Sequence, residues 1–598
     1  MKRSSGTRRG LALLVLCLLG SGAAQAAPLV VFTASRTERC VAPCAVFFDA
    51  TPTTDPSAKH PFHDLDFRWE FGDEHGETWA LSGQPKDRAI GGIAGHLFTR
   101  PGLYTVTLHV SNAAGESASA QKAVVVGDPA TSFAGANTTC VSASGSFDGC
   151  PDGAQHVRSG DFASALANAP GRRTLLRRGE SFAWSRPVRL ADAPDGGAAL
   201  GVFGPGSARA TLRAGSGVML DPGDDWRVSH LELRGPGANV ALAAITEHGG
   251  VRRFTLEDVA VRGFNNCADF WSPTRPNEQI AFVDVSCGEF PDPGNGAKFY
   301  EDTQESMFLG LDLDKGDHRD PRDQTEFAYR TVFSQKKLIQ HGRFRGRAPN
   351  QSKNLLQLRH CPTAGPWRVR CEDGKVPSRY VIVSDNQFVE GGGPHALTVI
   401  RVCDHGSCTG APGESQAVED YVFERNLFQI DARDGASDQM ASIFELQATR
   451  TSVRDNVADL QGWPRGGPPR AFFALVEPLS NPQRDGSGEI WIHHNTLYFD
   501  PGSAKPIVLC AERGNMSGLE CANNLVYAPG AAGAVTPSMG EGWRDTGNRV
   551  ATGNPFPKAP PARLQATLRD LGAFRVGTGR PAAGAAIEPA APAAARRP

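Results

Sequence analysis

Past its first 26 residues the sequence has no apolar run approaching the roughly 20 residues that a membrane-spanning helix needs, so membrane insertion is not expected of the mature chain. It has no surplus of basic residues either: 62 Lys and Arg face 64 Asp and Glu. Loss of the leader described next leaves 58 against 64, a formal charge of −6, and nucleic acid is not an expected partner. Gly-x-Ser-x-Gly, P-loop and His-Glu-x-x-His motifs are missing, and hydrolase-elbow, nucleotide and metalloprotease chemistries lose support with them. From about residue 170 no stretch shows convincing amphipathic-helix periodicity, which leaves an architecture built from strands.

What is present begins with an export signal. Lys2, Arg3, Arg8 and Arg9 precede the apolar block LALLVLCLLG, and Ala24-Gln25-Ala26 offers a cleavage site before Ala27. Residues 1–26 are read as a signal peptide and the protein as secreted or periplasmic. Leu16 before Cys17 argues against a lipid anchor, and Arg8-Arg9 reads as an ordinary basic n-region. The remaining twelve cysteines fall as six close neighbours: Cys40/Cys44, Cys140/Cys150, Cys267/Cys287, Cys361/Cys371, Cys403/Cys408 and Cys510/Cys521. An even count in an oxidising compartment favours disulfides between neighbours. The alternative, zinc held near Cys403, His405 and Cys408, lacks a second Cys/His pair at zinc-site spacing.

Residues 27–128 show short alternating strands, among them Tyr104, Val106, Leu108 and Val110 at period two. VFFDAT (46–51), WEFGD (69–73) and HLFTRPGLYTVTLHVSNAAG (96–115) resemble the PKD domain family, with Glu70 where Asp is usual and Glu74-His75 where Gly is usual. The resemblance implies a β-sandwich in which Trp69 and Asp73 are structural.

Residues 129–575 are read as a solenoid of short apolar runs ending in polar turns. Asn386, Asn426, Asn456, Asn495 and Asn524 each precede an apolar residue by two positions, at spacings of 40, 30, 39 and 29. Coils stacked about 4.8 Å apart would align these amides into one ladder. Such ladders resemble those of right-handed parallel β-helices of the pectate lyase-like superfamily. TLLRRGESF (174–182) and LGAFRVGTGRPAAGAA (571–586) resemble the first and closing segments of such proteins, and residues 576–598 form a low-complexity tail. The expected fold class is all-β, a PKD-type sandwich followed by a right-handed parallel β-helix.

Charge is segregated in the middle of the chain. Nine acids lie between Glu301 and Glu326, whereas Arg330 to Arg370 holds ten Lys and Arg, His341, His360 and no acid. If His341, Arg343, Arg345 and Arg347 alternate along a strand with Phe344 turned inward, they form a cationic stripe. Arginine forks recognise carboxylate and sulfate, so the expected partner is an acidic polysaccharide. Alternatively the stripe pairs with the acidic stretch on the adjacent coil.

QKKLIQHGRF and NLLQLRH, within 335–360, resemble chondroitinase B and related alginate lyases. That resemblance implies β-elimination, with Lys337 as Brønsted base, Arg359 as its partner at the substrate C5–H, and a calcium ion neutralising the uronate carboxylate. The acid-x-acid pair expected before the lysine is missing between Tyr329 and Gln335, and Leu338 stands where Ser is usual. Asp312, Asp314 and Asp317 are the nearest substitute calcium ligands. The non-catalytic alternative is a glycan-binding or adhesive protein with Trp271 or Trp367 as a stacking platform. Asp224-Asp225 and Gln340-His341-Gly342 do not reproduce the set of the polygalacturonase-type hydrolases.

Overall fold

The structure is a computed structural model that describes residues 26–169, 171–194, 196–215, 219–237, 243–247, 249–272, 275–291, 296–317, 326–347, 354–359, 377–391, 398–403, 418–431, 442–462, 471–477, 488–498, 506–514, 516–529 and 535–553. Its N-terminal part pairs a three-stranded sheet (Thr33–Ala34, Cys44–Asp49, Ile93–Phe98) with a five-stranded one that contains the long hairpin Gly102–Ser111 and Ser117–Gly127. The period-two pattern is realised directly: Tyr104, Val106, Leu108 and Val110 point into the sandwich core with Phe48, Phe67 and Trp69. Trp69 donates its indole N–H to the carbonyl of Gly91 at 2.8 Å, and Asp73 accepts from His96 at 2.9 Å, as structural roles require.

The remainder winds through three parallel sheets, visited in the same order in every coil and containing 16, 13 and 12 strands among the described residues. The first strands, Thr138–Ser142 and Gln155–Arg158, precede the region where the sequence becomes repetitive. A short helix, Phe162–Ala167, is capped by the Asp161 carboxylate and buries Phe162, Ala163 and Ala165 against the open end of the core. The lumen is filled by inward side chains such as Phe282, Phe308, Phe299 and Tyr329. Phe344 does turn inward, where it stacks on Phe388 and through it on Phe428, with ring centroids 5.1 Å apart at each step.

The asparagine ladder forms as expected and runs one rung further. Each amide Nδ2 donates to the next Oδ1, from Asn386 through Asn426, Asn456, Asn495 and Asn524, at 2.9–3.1 Å. Asn548 ends it, accepting from Asn524 at 2.9 Å. Four of the neighbouring cysteine pairs are bridged: Cys40–Cys44, Cys140–Cys150, Cys267–Cys287 and Cys510–Cys521. Cys361, Cys371, Cys408 and the side chain of Cys403 lie outside the described residues, as do Trp367 and the closing segment 571–586.

The sandwich is seated on the outer face of the first solenoid sheet. Val46 and Phe48 face the sandwich's own core while Phe47, with Ile93, Leu97, Phe62 and Trp79, packs on Val283, Met307, Leu309, Leu338, Ile382 and Val422. Gly95 lets the backbone come this close, because a Cβ there would collide with Met307. From Asp225 onward the strands of this sheet carry positive-φ residues near both ends, and several of these supply the polar grip on either side of the apolar strip. On one flank Asp225 pairs with Arg36 at 3.0 Å, Lys336 with Asp49 at 2.8 Å and Asp420 with His63 at 3.5 Å. On the other, Asp284 meets Lys86 at 2.8 Å, Asp385 accepts from Gln84 at 2.8 Å, and His341 stacks on Trp79 at 4.7 Å.

Acid should loosen this seat. Burial lowers the pKa of His341 from its ordinary value of 6.5 to about 4, partly offset by Asp385. The folded value lies below the unfolded one, so the stability that the neutral ring contributes is complete above pH 6.5 and is lost as pH falls through 4, about 3 kcal/mol in all. Burial lowers the His63 pKa as well. Thermal melts at pH 7.5 and 4.5 are expected to show a loss in the wild type that His341→Gln reduces; equal losses in both proteins would remove His341 from the account.

Candidate functional site

The residues singled out by the charge pattern do not converge. Lys337 lies on the first-sheet strand Gln335–Gln340 and points into the lumen, wholly buried. Its ammonium donates to both Glu301 oxygens at 2.6 Å, to Thr331 Oγ1 at 3.0 Å and to the Phe333 carbonyl at 3.1 Å. Arg359 lies on the third sheet and points the other way, because its neighbour Leu358 fills the lumen. A base at Lys337 acting with Arg359 in an open groove is therefore corrected: the sheet pleat puts the two side chains on opposite sides of the wall.

The cationic stripe is corrected too. His341 is covered by the sandwich, with Ser82 at 3.2 Å and Trp79 on its face. Arg343 and Arg345 do point outward on the second sheet, but the register sets Asp312 opposite Arg343 and Asp314 opposite Arg345, and each arginine pairs with its acid. Asp317 and Arg347 also oppose one another, with side chains outside the described residues. The adjacent-coil pairing thus holds, and Asp312 and Asp314 are engaged by arginines rather than gathered as calcium ligands. No group of three or more potential metal ligands occurs among the described residues.

The third sheet presents the stronger site. Its outward row follows the strand register from Asp269 to Tyr300, Arg330, Gln357, Arg401, Glu445 and Leu475. The direction is set by inward neighbours: Phe299 beside Tyr300, Tyr329 beside Arg330, Leu356 and Leu358 around Gln357, Ile400 and Val402 around Arg401. Arg359 stands two residues beyond Gln357 on the same face. The Nε–H groups of Arg330 and Arg359 are buried and find no acceptor among the described residues. Arg330 instead lies over the Phe327 ring at 4.9 Å. Desolvation lowers its pKa, and desolvation likewise raises that of Tyr300, which stays a neutral phenol. Arg401 is compensated, pairing with Glu445 at 2.7 Å. A buried and a half-buried fork on one face, each with an Nε–H lacking an acceptor among the described residues, suit an anion with planar acceptor oxygens.

A concavity of about 420 Å³ lies elsewhere, between the sandwich and the first coils. Its charges are largely paired internally: His96 with Asp73, Lys86 with Asp284 and Glu77, and, at its edge, His230 with Asp258. Glu257 on its wall has a raised pKa, from burial first.

Sequence reading missed Tyr300, Gln357, Arg401 and Glu445 and took Arg330 only as part of a charge count. The available signal was a single polar residue between apolar neighbours, as in Leu356-Gln357-Leu358 and Ile400-Arg401-Val402. Aligning those positions across coils needs the register, which unequal loops conceal.

Fold and site together define a solenoid with a docked sandwich and an arginine-bearing outer wall. Residues 48–126 match the PKD domain family, so the sandwich is a PKD domain carried on a parallel β-helix. The solved structure of an alginate lyase from Paenibacillus sp. str. FPU-7 is similar over 68% of this chain and 99% of that chain, at 12% identity and a TM-score of 0.27, too slight a likeness to carry over any residue's role. No curated protein matches.

Proposed function

We propose that this is an exported protein that engages an acidic polysaccharide on the outer face of its third sheet, with Arg330 and Arg359 as the carboxylate-binding forks. The supporting observation is that Arg359 is buried and Arg330 half-buried, and that the buried Nε–H of each finds no acceptor among the described residues. A cation so placed is incomplete until an anion arrives, since burying a charge unpaired is costly. The other two walls are less suitable: the first sheet carries the PKD domain, and on the second Arg343 and Arg345 are already paired. Four disulfides accord with an oxidising compartment, and no helix among the described residues is long and apolar enough to cross a membrane.

β-Elimination on the same face is a second reading. One observation favours it: the hydroxyl-bearing Tyr300 lies one coil from Arg330, so a uronate held by the arginine would bring its leaving oxygen beside a phenol.

The test is affinity electrophoresis through alginate, pectate, chondroitin sulfate, a heparinoid and neutral dextran, with and without calcium. Retardation by acidic polymers only is expected, weakened about 10-fold or more in Arg330→Ala and in Arg359→Ala. Unchanged retardation in both variants would overturn the assignment. Ultraviolet absorbance of unsaturated uronate, followed in the same mixtures, decides between binding and elimination.

A further inference from the structure

The junction between the sandwich and the first coils gathers more positive than negative charge. Asp225, Arg253 and Gln279 hold the same left-handed turn on three successive coils of the first sheet, and Arg227 faces the sandwich because its neighbour Val228 fills the lumen. Arg36 comes from the sandwich. All three arginines turn to one carboxylate: Arg36 donates to Asp225 Oδ1 at 3.0 Å, Arg227 Nη2 lies 3.6 Å from the same oxygen, and Arg253 Nε lies 3.6 Å from Oδ2. Only the first of these is a hydrogen bond. Arg227 is 3% exposed; its Nε donates to the Pro43 carbonyl at 3.1 Å and its Nη1 to the Gly196 carbonyl at 3.5 Å, but its Nη2 has no acceptor among the described residues, and neither has the buried Nε of Arg253. The acids next along the chain, Asp224 and Glu278, pair with Arg275 and Arg252. Burial lowers the Arg227 pKa to about 10, partly offset by Asp225 and lowered further by Arg36 and Arg253, so the group stays charged at neutral pH.

Between these side chains lies a space of about 10 Å³, room for one water-sized sphere, lined also by Cys40, Ala45, Thr255 and Gln279. We propose that it is a halide site, taking one chloride ion among Arg227, Arg253 and Arg36 and so tying the sandwich to the solenoid. Three guanidiniums around one carboxylate leave positive charge where burial makes it costly, and a single anion offsets it. The size of the space excludes polyatomic anions such as sulfate. A water molecule would fit, and Gln279 Oε1, which has no donor, would suit it, but a neutral molecule leaves the imbalance of charge as it stands.

The experiment is thermal melting of the full-length protein at neutral pH and constant ionic strength, with gluconate replaced stepwise by chloride, bromide or sulfate. Replacement by about 100 mM chloride or bromide is expected to raise the wild-type midpoint by about 2–4 °C, and replacement by sulfate to leave it unchanged. Arg253 is half-buried, and the Arg36–Asp225 pair survives without it, so Arg253→Gln should still melt cooperatively while losing most of the halide dependence. Equal wild-type midpoints in all four salts would mean that the space holds water only and would overturn the site. A chloride dependence undiminished in Arg253→Gln would place the ion elsewhere and overturn it equally. If that variant does not fold, anomalous scattering from wild-type crystals grown in bromide decides: a peak within hydrogen-bonding reach of Arg227 Nη2 upholds the site, and its absence overturns it.

Discussion

Lys337→Met is expected to destabilise the solenoid by about 3–5 kcal/mol, the cost of leaving one partner of a buried ion pair uncompensated. Lys337 and Glu301 are both fully buried, and the carboxylate also accepts from the Tyr329 hydroxyl at 2.7 Å and from the backbone N–H and hydroxyl of Thr303 at 2.8 Å. These donors suit a carboxylate, and the phenol's own burial first, then the neighbouring Glu301 charge, pushes the Tyr329 pKa well above its ordinary value. Without the ammonium, Glu301 must either remain charged in the lumen or take up a proton. Replacing both partners, Lys337→Met with Glu301→Gln, should recover much of the loss, because a paired substitution leaves no isolated charge. Denaturant melts of the two variants measure this. The same double variant separates structure from chemistry: it should bind acidic polymer like the wild type, since Arg330 and Arg359 are untouched. A Lys337→Met protein that melts with the wild type but loses function would return Lys337 to the chemistry.

This pair also shows why the fold was far more legible than the site. Asn386, Asn426, Asn456, Asn495 and Asn524 announce themselves because a ladder position sits at a turn and tolerates little else, so the signal survives loops of any length. The PKD segment is legible for a related reason: period two along Gly102–Ser111 maps at once onto one buried face. Facing in the solenoid is harder. Lys337 and Arg359 are 22 residues apart and look like a pair, yet one strand pleat separates lumen from surface, and a shift of one residue reverses the assignment. Charge segregation between Glu301 and Arg370 was real but was resolved within the fold: into the lumen at Lys337–Glu301, across coils at Arg343–Asp312 and Arg345–Asp314, and under the sandwich at His341. Nor does any local pattern announce that a domain more than two hundred residues upstream covers the first sheet. Phe47 between Val46 and Phe48 reads as one more strand residue until its outward neighbour is known.

The ladder itself should fail unevenly. In Asn456→Ala the backbone N–H and the Nδ2 of Asn426 both lose the Oδ1 that accepts them at 3.0 Å, and the Phe423 carbonyl loses its donor at 3.0 Å, all buried. Unsatisfied buried groups cost about 1–3 kcal/mol each, so a loss of about 3–5 kcal/mol is expected after partial relaxation. Position matters because coils in a solenoid touch only their neighbours, and stability is close to a sum of coil terms and interfaces. A break at Asn456 weakens an interface with several coils on either side, so denaturant unfolding should split into two transitions, with the C-terminal coils melting first. The equivalent change at the last rung, Asn548→Ala, removes bonds that are only partly buried and should cost about 1 kcal/mol in a single transition. If both variants melt alike in one step, the ladder contributes no more at its centre than at its end, and the coils unfold as one unit regardless of which rung is cut.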